Sequence, residues 1–169
     1  MRTLIFALLS FICQQALATT MVPLSLNQLT KSADLIVRVT IENKTSAWDN
    51  QRIYTYSQAK VTETLKDKNP LRPKTITIKS LGGVVGDIGQ QVHGSPHLIT
   101  GKEYILFLIE PEPGTYFVFG MEQGVVALSK DEDGKINATP GHHELTGKPT
   151  IRVNELKNNI LGLVGNVSK

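Results

Sequence analysis

Arg52-Ile53-Tyr54-Thr55-Tyr56-Ser57-Gln58-Ala59-Lys60-Val61-Thr62-Glu63-Thr64-Leu65 is the stretch that decides the fold. Ile53, Thr55, Ala59, Val61 and Leu65 fall on one face at a spacing of two, and Tyr54 and Tyr56 fall on the other. Alternation rich in β-branched and aromatic residues predicts a strand. Its length exceeds the common strand, and long strands bend to serve two sides of a barrel.

Working outward, Leu35, Val37, Val39 and Ile41 alternate with Arg38, Thr40 and Glu42, which predicts a strand over Asp34 to Glu42 with one wet face. The polar run from Asn43 to Gln51, with the lone Trp48, reads as a loop. Lys66 to Lys74 carries Pro70 and Pro73 and reads as a turn, followed by a strand at Thr75-Ile76-Thr77-Ile78. Gly82-Gly83-Val84-Val85-Gly86-Asp87-Ile88-Gly89 opens a glycine-rich excursion that runs to Pro96. Tyr104 to Ile109 is apolar at every position, as expected for a central strand covered on both faces. Pro111 to Gly114 turns into Tyr116-Phe117-Val118-Phe119, and Asp133-Gly134 separates Val125 to Leu128 from Lys135-Ile136-Asn137. Thr139 to Pro149 reads as loop.

Two short helices flank these strands. Ser25 and Gln28 stand at capping-box positions around Leu26 and Leu29, which share a face with Ala33. Leu156, Ile160, Leu163 and Val164 have helical spacing near the C-terminus. Six or seven strands at this spacing predict a mainly β fold, a small closed or partly open OB-like barrel with two short flanking helices. A β-sandwich is the alternative.

The first 18 residues read as a cleavable secretory signal: Arg2, an apolar run from Leu4 to Ile12, and the exit triplet Ala16-Leu17-Ala18. The run is about half the roughly 20 residues needed to span a bilayer. No other segment is long enough either, so the mature chain is expected to have no transmembrane segment. Removing 18 of 169 residues leaves 151, a length that suits one domain over 19–169. The expected location is secreted or periplasmic. Cys13 is the single cysteine and lies within the signal, so the mature chain has no disulfide, thiolate ligand or cysteine nucleophile. Without Arg2 the chain carries 17 Lys and Arg against 15 Asp and Glu, scattered along its length, which argues against nucleic-acid binding.

Catalytic and cofactor motifs are excluded one by one. Gly82, Gly83, Gly86 and Gly89 follow a strand, but no helix follows them to receive a phosphate, and no P-loop ending is present. His93 and His97 are four apart, yet Gly94-Ser95-Pro96 between them forbids the helix that would make them metal ligands. His143-Glu144 lacks the second His of a zinc-protease helix, and a calcium loop counted from Asp131 would close on His142 instead of Glu. There is no Gly-x-Ser-x-Gly elbow. No cofactor or metal is expected. The candidate binding surface is the Gly82–His97 segment (Gly82, Gly83, Asp87, His93 and His97) together with Trp48, Tyr54 and Tyr56, whose rings could stack on a partner if they share a face. A loop of this length with no structure of its own is more often functional than a short connector.

The motifs Ala33-Asp34-Leu35-Ile36-Val37, Trp48-Asp49, Ile53-Tyr54-Thr55, Leu65-Lys66, Gly82-Gly83, Gly94-Ser95-Pro96 and Tyr104-Ile105-Leu106-Phe107-Leu108 resemble a group of uncharacterised exported bacterial proteins, over roughly Leu26 to Gly124. That resemblance carries no activity. A fainter likeness is to netrin-like domains, OB barrels that include metalloproteinase inhibitors. Their inhibition depends on N-terminal cysteines, which the mature chain lacks, so the mechanism does not transfer.

The expectation is a non-catalytic binding or interaction module whose partner outside the cytoplasm is a protein, a small molecule or a glycan. The alternatives are a protease inhibitor or protease-associated module, and a hydrolase using loop histidines with acidic residues.

Overall fold

The computed structural model describes residues 22–67, 69, 72–141 and 150–167, with the side chains of 166 and 167 left out. The segment read as a signal, Pro70 and His142, His143 and Glu144 lie outside the described residues. Chain order begins with helix α1 (Leu26–Ser32), followed by strands β1 (Leu35–Asp49), β2 (Arg52–Asp67), β3 (Thr75–Leu81), β4 (Gly83–Val85) and β5 (Ile88–Gln90). Strands β6 (Glu103–Glu112) and β7 (Thr115–Val118) come next, then a single 3-10 turn at Met121–Gly124. Strands β8 (Val125–Lys130), β9 (Ile136–Pro140) and β10 (Ile151–Arg152) lead into helix α2 (Val153–Val167).

Five strands close on themselves. β1 pairs with β2, β2 with β3, β3 with β7, β7 with β6, and β6 returns to β1 through Leu35↔Leu108 to Thr40↔Glu103. The β3–β7 contact is parallel and the other four are antiparallel. This is the expected mainly β, OB-like barrel, a partly closed sheet joined by the β6–β1 pair. β8, β9 and β10 extend the sheet from Glu103 to Leu106 of β6, the stretch beyond the reach of β7 on the edge opposite β1.

β6 is the shared wall of two cores. Leu35, Val37, Val39, Ile41, Ile76, Ile78, Tyr104, Leu106 and Leu108 fill the barrel interior. Ile36, Ile105 and Phe107 face outward, where Leu29 of α1 and Val153, Leu156 and Ile160 of α2 cover them. Alternate residues of one strand thus serve opposite cores, which is why Tyr104 to Ile109 carries no polar face.

The helices are placed by their ends. Ser25 accepts from the Gln28 N–H while Gln28 Oε1 accepts from the Ser25 N–H, completing the capping box. At the other end of α1, Lys66 Nζ donates to the carbonyls of Thr30, Lys31 and Ala33 at 2.7, 3.1 and 2.6 Å. An ammonium satisfying the last carbonyls of a helix also faces the negative end of its dipole. Among the described residues no helix is long and apolar enough to cross a membrane.

Three expectations need correction. Asn43 to Gln51 is not a loop: β1 continues to Asp49 and turns through Asn50 and Gln51 alone, at φ 45° and 69°. The Gly82–Pro96 excursion contains a small hairpin, β4 and β5, reversing at Gly86-Asp87. Thr139 and Pro140 belong to β9 and pair with Ala127 and Val126.

Candidate functional site: the polar mouth of the barrel

A β-bulge decides which side chains of β1 enter the barrel. Ile41 pairs with Ala59 but Asn43 pairs with Gln58, so Glu42 is an extra residue. An extra residue reverses the alternation. Before it the odd positions, Leu35 to Ile41, face inward; after it the even positions Lys44, Ser46 and Trp48 do. Lys44 lies directly across from Ser57, and Ser46 directly across from Thr55, which in turn faces Ser80 on β3. Side chains so paired share a face and stand about 5 Å apart at Cβ. The barrel interior therefore changes from apolar at Ile41, Ala59 and Ile76 to polar at Lys44, Ser46, Thr55, Ser57 and Ser80.

The β4–β5 hairpin lies across this polar end. Thr55 Oγ1 donates to the Gly82 carbonyl at 2.8 Å and shares a 3.0 Å hydrogen bond with Ser46 Oγ. Gly83, at φ 139°, runs directly over that hydroxyl pair, where any side chain would collide. Gln90 Oε1 accepts from the Ile53 N–H at 2.7 Å, and Ser95 Oγ donates to the Leu81 carbonyl at 2.6 Å, so the hairpin and the segment after it are both tied to the barrel.

Between hairpin, segment and barrel lies a cavity of about 610 Å³. Ser57 forms part of its lining and is 1% exposed, yet its hydroxyl has no hydrogen-bond partner among the described residues. A buried polar group in that state costs about 1–3 kcal/mol. Lys44 Nζ donates to the Leu98 carbonyl at 2.6 Å and has two further N–H groups.

The expected surface divides in two. Gly82, Gly83, His93 and His97 line the cavity, the histidines as exposed rim residues, while Asp87 is exposed at the hairpin turn. The three aromatic residues do not come together. Trp48 is across from Ile53, on the face opposite Tyr54 and Tyr56, and is half exposed. Tyr54 and Tyr56 are engaged internally: Lys79 Nζ lies 4.2 Å from the Tyr54 ring centroid, 5.6 Å from Tyr56 and 5.9 Å from Phe117. Asp49 Oδ2 accepts from Lys79 at 2.5 Å, which holds the Asp49 carboxyl below its ordinary range and the Lys79 ammonium above its own. That aromatic face already holds a cation of its own chain.

A second polar cluster plugs the opposite part of the barrel. Arg72, 7% exposed, donates to both carboxylate oxygens of Asp67 at 2.9 Å, to Glu110 at 2.7 Å and to the Tyr116 hydroxyl. Every group in it has a partner, as in a structural network. Burial drives the Glu110 carboxyl upward, but hydrogen bonds from the Gly114 N–H, Arg72 and Tyr116 outweigh it, leaving Glu110 below the usual carboxylate range.

Among the described residues no group of three or more His, Cys, Asp or Glu could hold a metal. No family model and no curated protein matches the chain.

Lys44, Ser46, Ser57 and Ser80 are the site residues that sequence reasoning missed. Their signal is polar residues on the inner face of strands: Thr55 and Ser57 fall between Ile53 and Ala59, and Ser80 follows Ile76 and Ile78.

Proposed function

We propose that this chain is a non-catalytic binding module acting outside the cytoplasm, with a small ligand seated in the polar mouth of the barrel. The observation that carries this reading is Ser57, walled into a cavity beside Lys44 with its hydroxyl unpartnered. A purely structural barrel end would be filled with apolar side chains, as the interior is at Ile41, Ala59 and Ile76. The cavity volume falls within the roughly 300–1,000 Å³ range of small-molecule sites. Action outside the cytoplasm is supported by the signal pattern over the first 18 residues.

Two measurements test the proposal. Expressed in an exporting bacterium, the chain should be recovered outside the cytoplasm beginning at Thr19; a cytoplasmic product starting at Met1 counts against export. Native mass spectrometry after incubation with a small-molecule extract of the producing cells should show a ligand retained by the wild type and lost from Ser80→Leu, which fills the mouth. Identical spectra for the two folded proteins would refute the site.

A protease-associated module is the second reading, favoured by Val84 and Ile88, which are 67% and 56% exposed on the β4–β5 hairpin. It requires that the chain slow a secreted protease and that Val84→Asp abolish the effect.

A further inference from the structure

We infer that the ligand is a small organic anion whose carboxylate or phosphate end is held by Lys44, an inference that rests on the barrel mouth being the binding site. Lys44 differs from the other partly buried cations. Arg38 is paired with Glu103, Arg72 with Asp67 and Glu110, Lys79 with Asp49, and Lys157 with Glu63. Lys66 satisfies the carbonyls that end α1. Lys44 forms no ion pair with any carboxylate among the described residues, and the Leu98 carbonyl takes only one of its three N–H donors.

The surroundings suit an oxyanion better than a neutral sugar. Ser46, Thr55, Ser57 and Ser80 share one inner face; Thr55 gives its proton to the Gly82 carbonyl, Ser46 to Thr55 Oγ1 and Ser80 to the Thr55 carbonyl, so Ser57 is the hydroxyl with a hydrogen bond to offer an oxygen atom. No Trp, Tyr or Phe lines the cavity, so the stacking platform that a sugar ring commonly uses is missing. Glu122, the one carboxylate in the lining, belongs to the 3-10 turn whose Glu122 N–H donates to the Gly94 carbonyl. About 610 Å³ is more than an inorganic ion fills, which leaves room for an organic body under the hairpin.

The geometry predicts a division of labour. The Lys44 ammonium supplies charge-assisted hydrogen bonds, stronger than those between neutral groups. The Ser57 hydroxyl orients the remainder, and Gly82 and Gly83 let the hairpin backbone close over it.

The test is ligand-observed NMR titration of wild type, Lys44→Met, Lys44→Arg and Glu122→Gln with inorganic phosphate, glycerol 3-phosphate, glycerate and glycerol. Wild type should bind glycerol 3-phosphate or glycerate saturably and more tightly than inorganic phosphate, and the stronger of the two identifies the anionic end. Lys44→Met should weaken that binding by about ten- to a hundred-fold, the worth of one charge-assisted hydrogen bond. Lys44→Arg should retain most of it, and Glu122→Gln, which removes the one carboxylate of the lining, should strengthen it. An unfolding midpoint for Lys44→Met equal to that of the wild type, read in parallel, separates lost binding from lost folding. Saturable binding of glycerol that Lys44→Met leaves intact would overturn the anion and keep the binding site. Binding of none of the four would overturn the anion, and the site falls with it if Ser80→Leu also retains the wild-type ligand in the native spectra.

Discussion

Gly83 and Ser46 are in such close contact that a Cβ on Gly83 would lie 2.4 Å from Ser46 Oγ, and 2.5 Å from Thr55 Oγ1. The hairpin that covers the mouth is therefore set down on a hydroxyl pair with no spare room.

Gly83→Ala should cost about 2 kcal/mol or more, because its φ of 139° is unfavourable for alanine and the hydroxyls cannot retreat without breaking the Thr55 bond to the Gly82 carbonyl or the Ser46–Thr55 bond. Gly86→Ala, at φ 59° with nothing within 4 Å of the added carbon, should cost only the left-handed penalty of about 1 kcal/mol. Chemical denaturation of the two variants measures the difference; equal losses would mean that the hairpin does not rest on Ser46.

Ser57→Ala removes an unpartnered buried hydroxyl and should raise stability by about 1 kcal/mol. The same change should weaken the mouth's ligand, so that stability and binding move in opposite directions. A stability loss in denaturant titration would show that the hydroxyl is satisfied inside the fold.

Gln51 has φ 69° in a turn whose preferred sequence is Asn-Gly. Gln51→Gly should stabilise the β1–β2 hairpin by roughly 1 kcal/mol, read as a higher denaturation midpoint.

Arg72→Met would leave Asp67 and Glu110, 14% and 21% exposed, beside a vacated guanidinium site, at a cost of about 3 kcal/mol or more. The pH dependence has a definite sign. Glu110 is lowered in the folded state, so its contribution is present above the unfolded carboxyl value, near 4.3, and is lost as pH falls through the folded value. Wild-type stability should therefore drop on acidification below about pH 4, and Arg72→Met should start lower at neutral pH with a shallower acid limb. Urea midpoints collected from pH 7 down to pH 3 check both slopes.

The barrel was legible where inner and outer faces differ in polarity. Leu35 to Ile41 and Thr75 to Ile78 announce their strands by alternation, and Tyr104 to Ile109 announces burial on two sides. The second half of β1 was hidden because Glu42 shifts the parity just where the inner residues turn polar, so Lys44 and Ser46 read as loop. Gln51 in place of glycine removed the usual hairpin signal. The glycine-rich segment was legible as the cover of the site, through Gly82 and Gly83. The aromatic half was not, because the face on which Trp48 lies is fixed by the same bulge, and the partner of Tyr54 is Lys79, a strand away.

The return of β1 to β6 also governs when the molecule can be completed. Leu35 must wait for Leu108, and Thr77 for Thr115, so a chain still emerging from a ribosome has β1, β2 and β3 long before it has the wall that closes them. Contacts so distant along the chain make for slow folding, in the millisecond-to-second range. During that interval the nascent meander displays its future interior to water. Once β6 is inserted, its amides at Ile105 and Leu106 should be the last in the protein to exchange with deuterium, since β1 and β8 flank them on both sides.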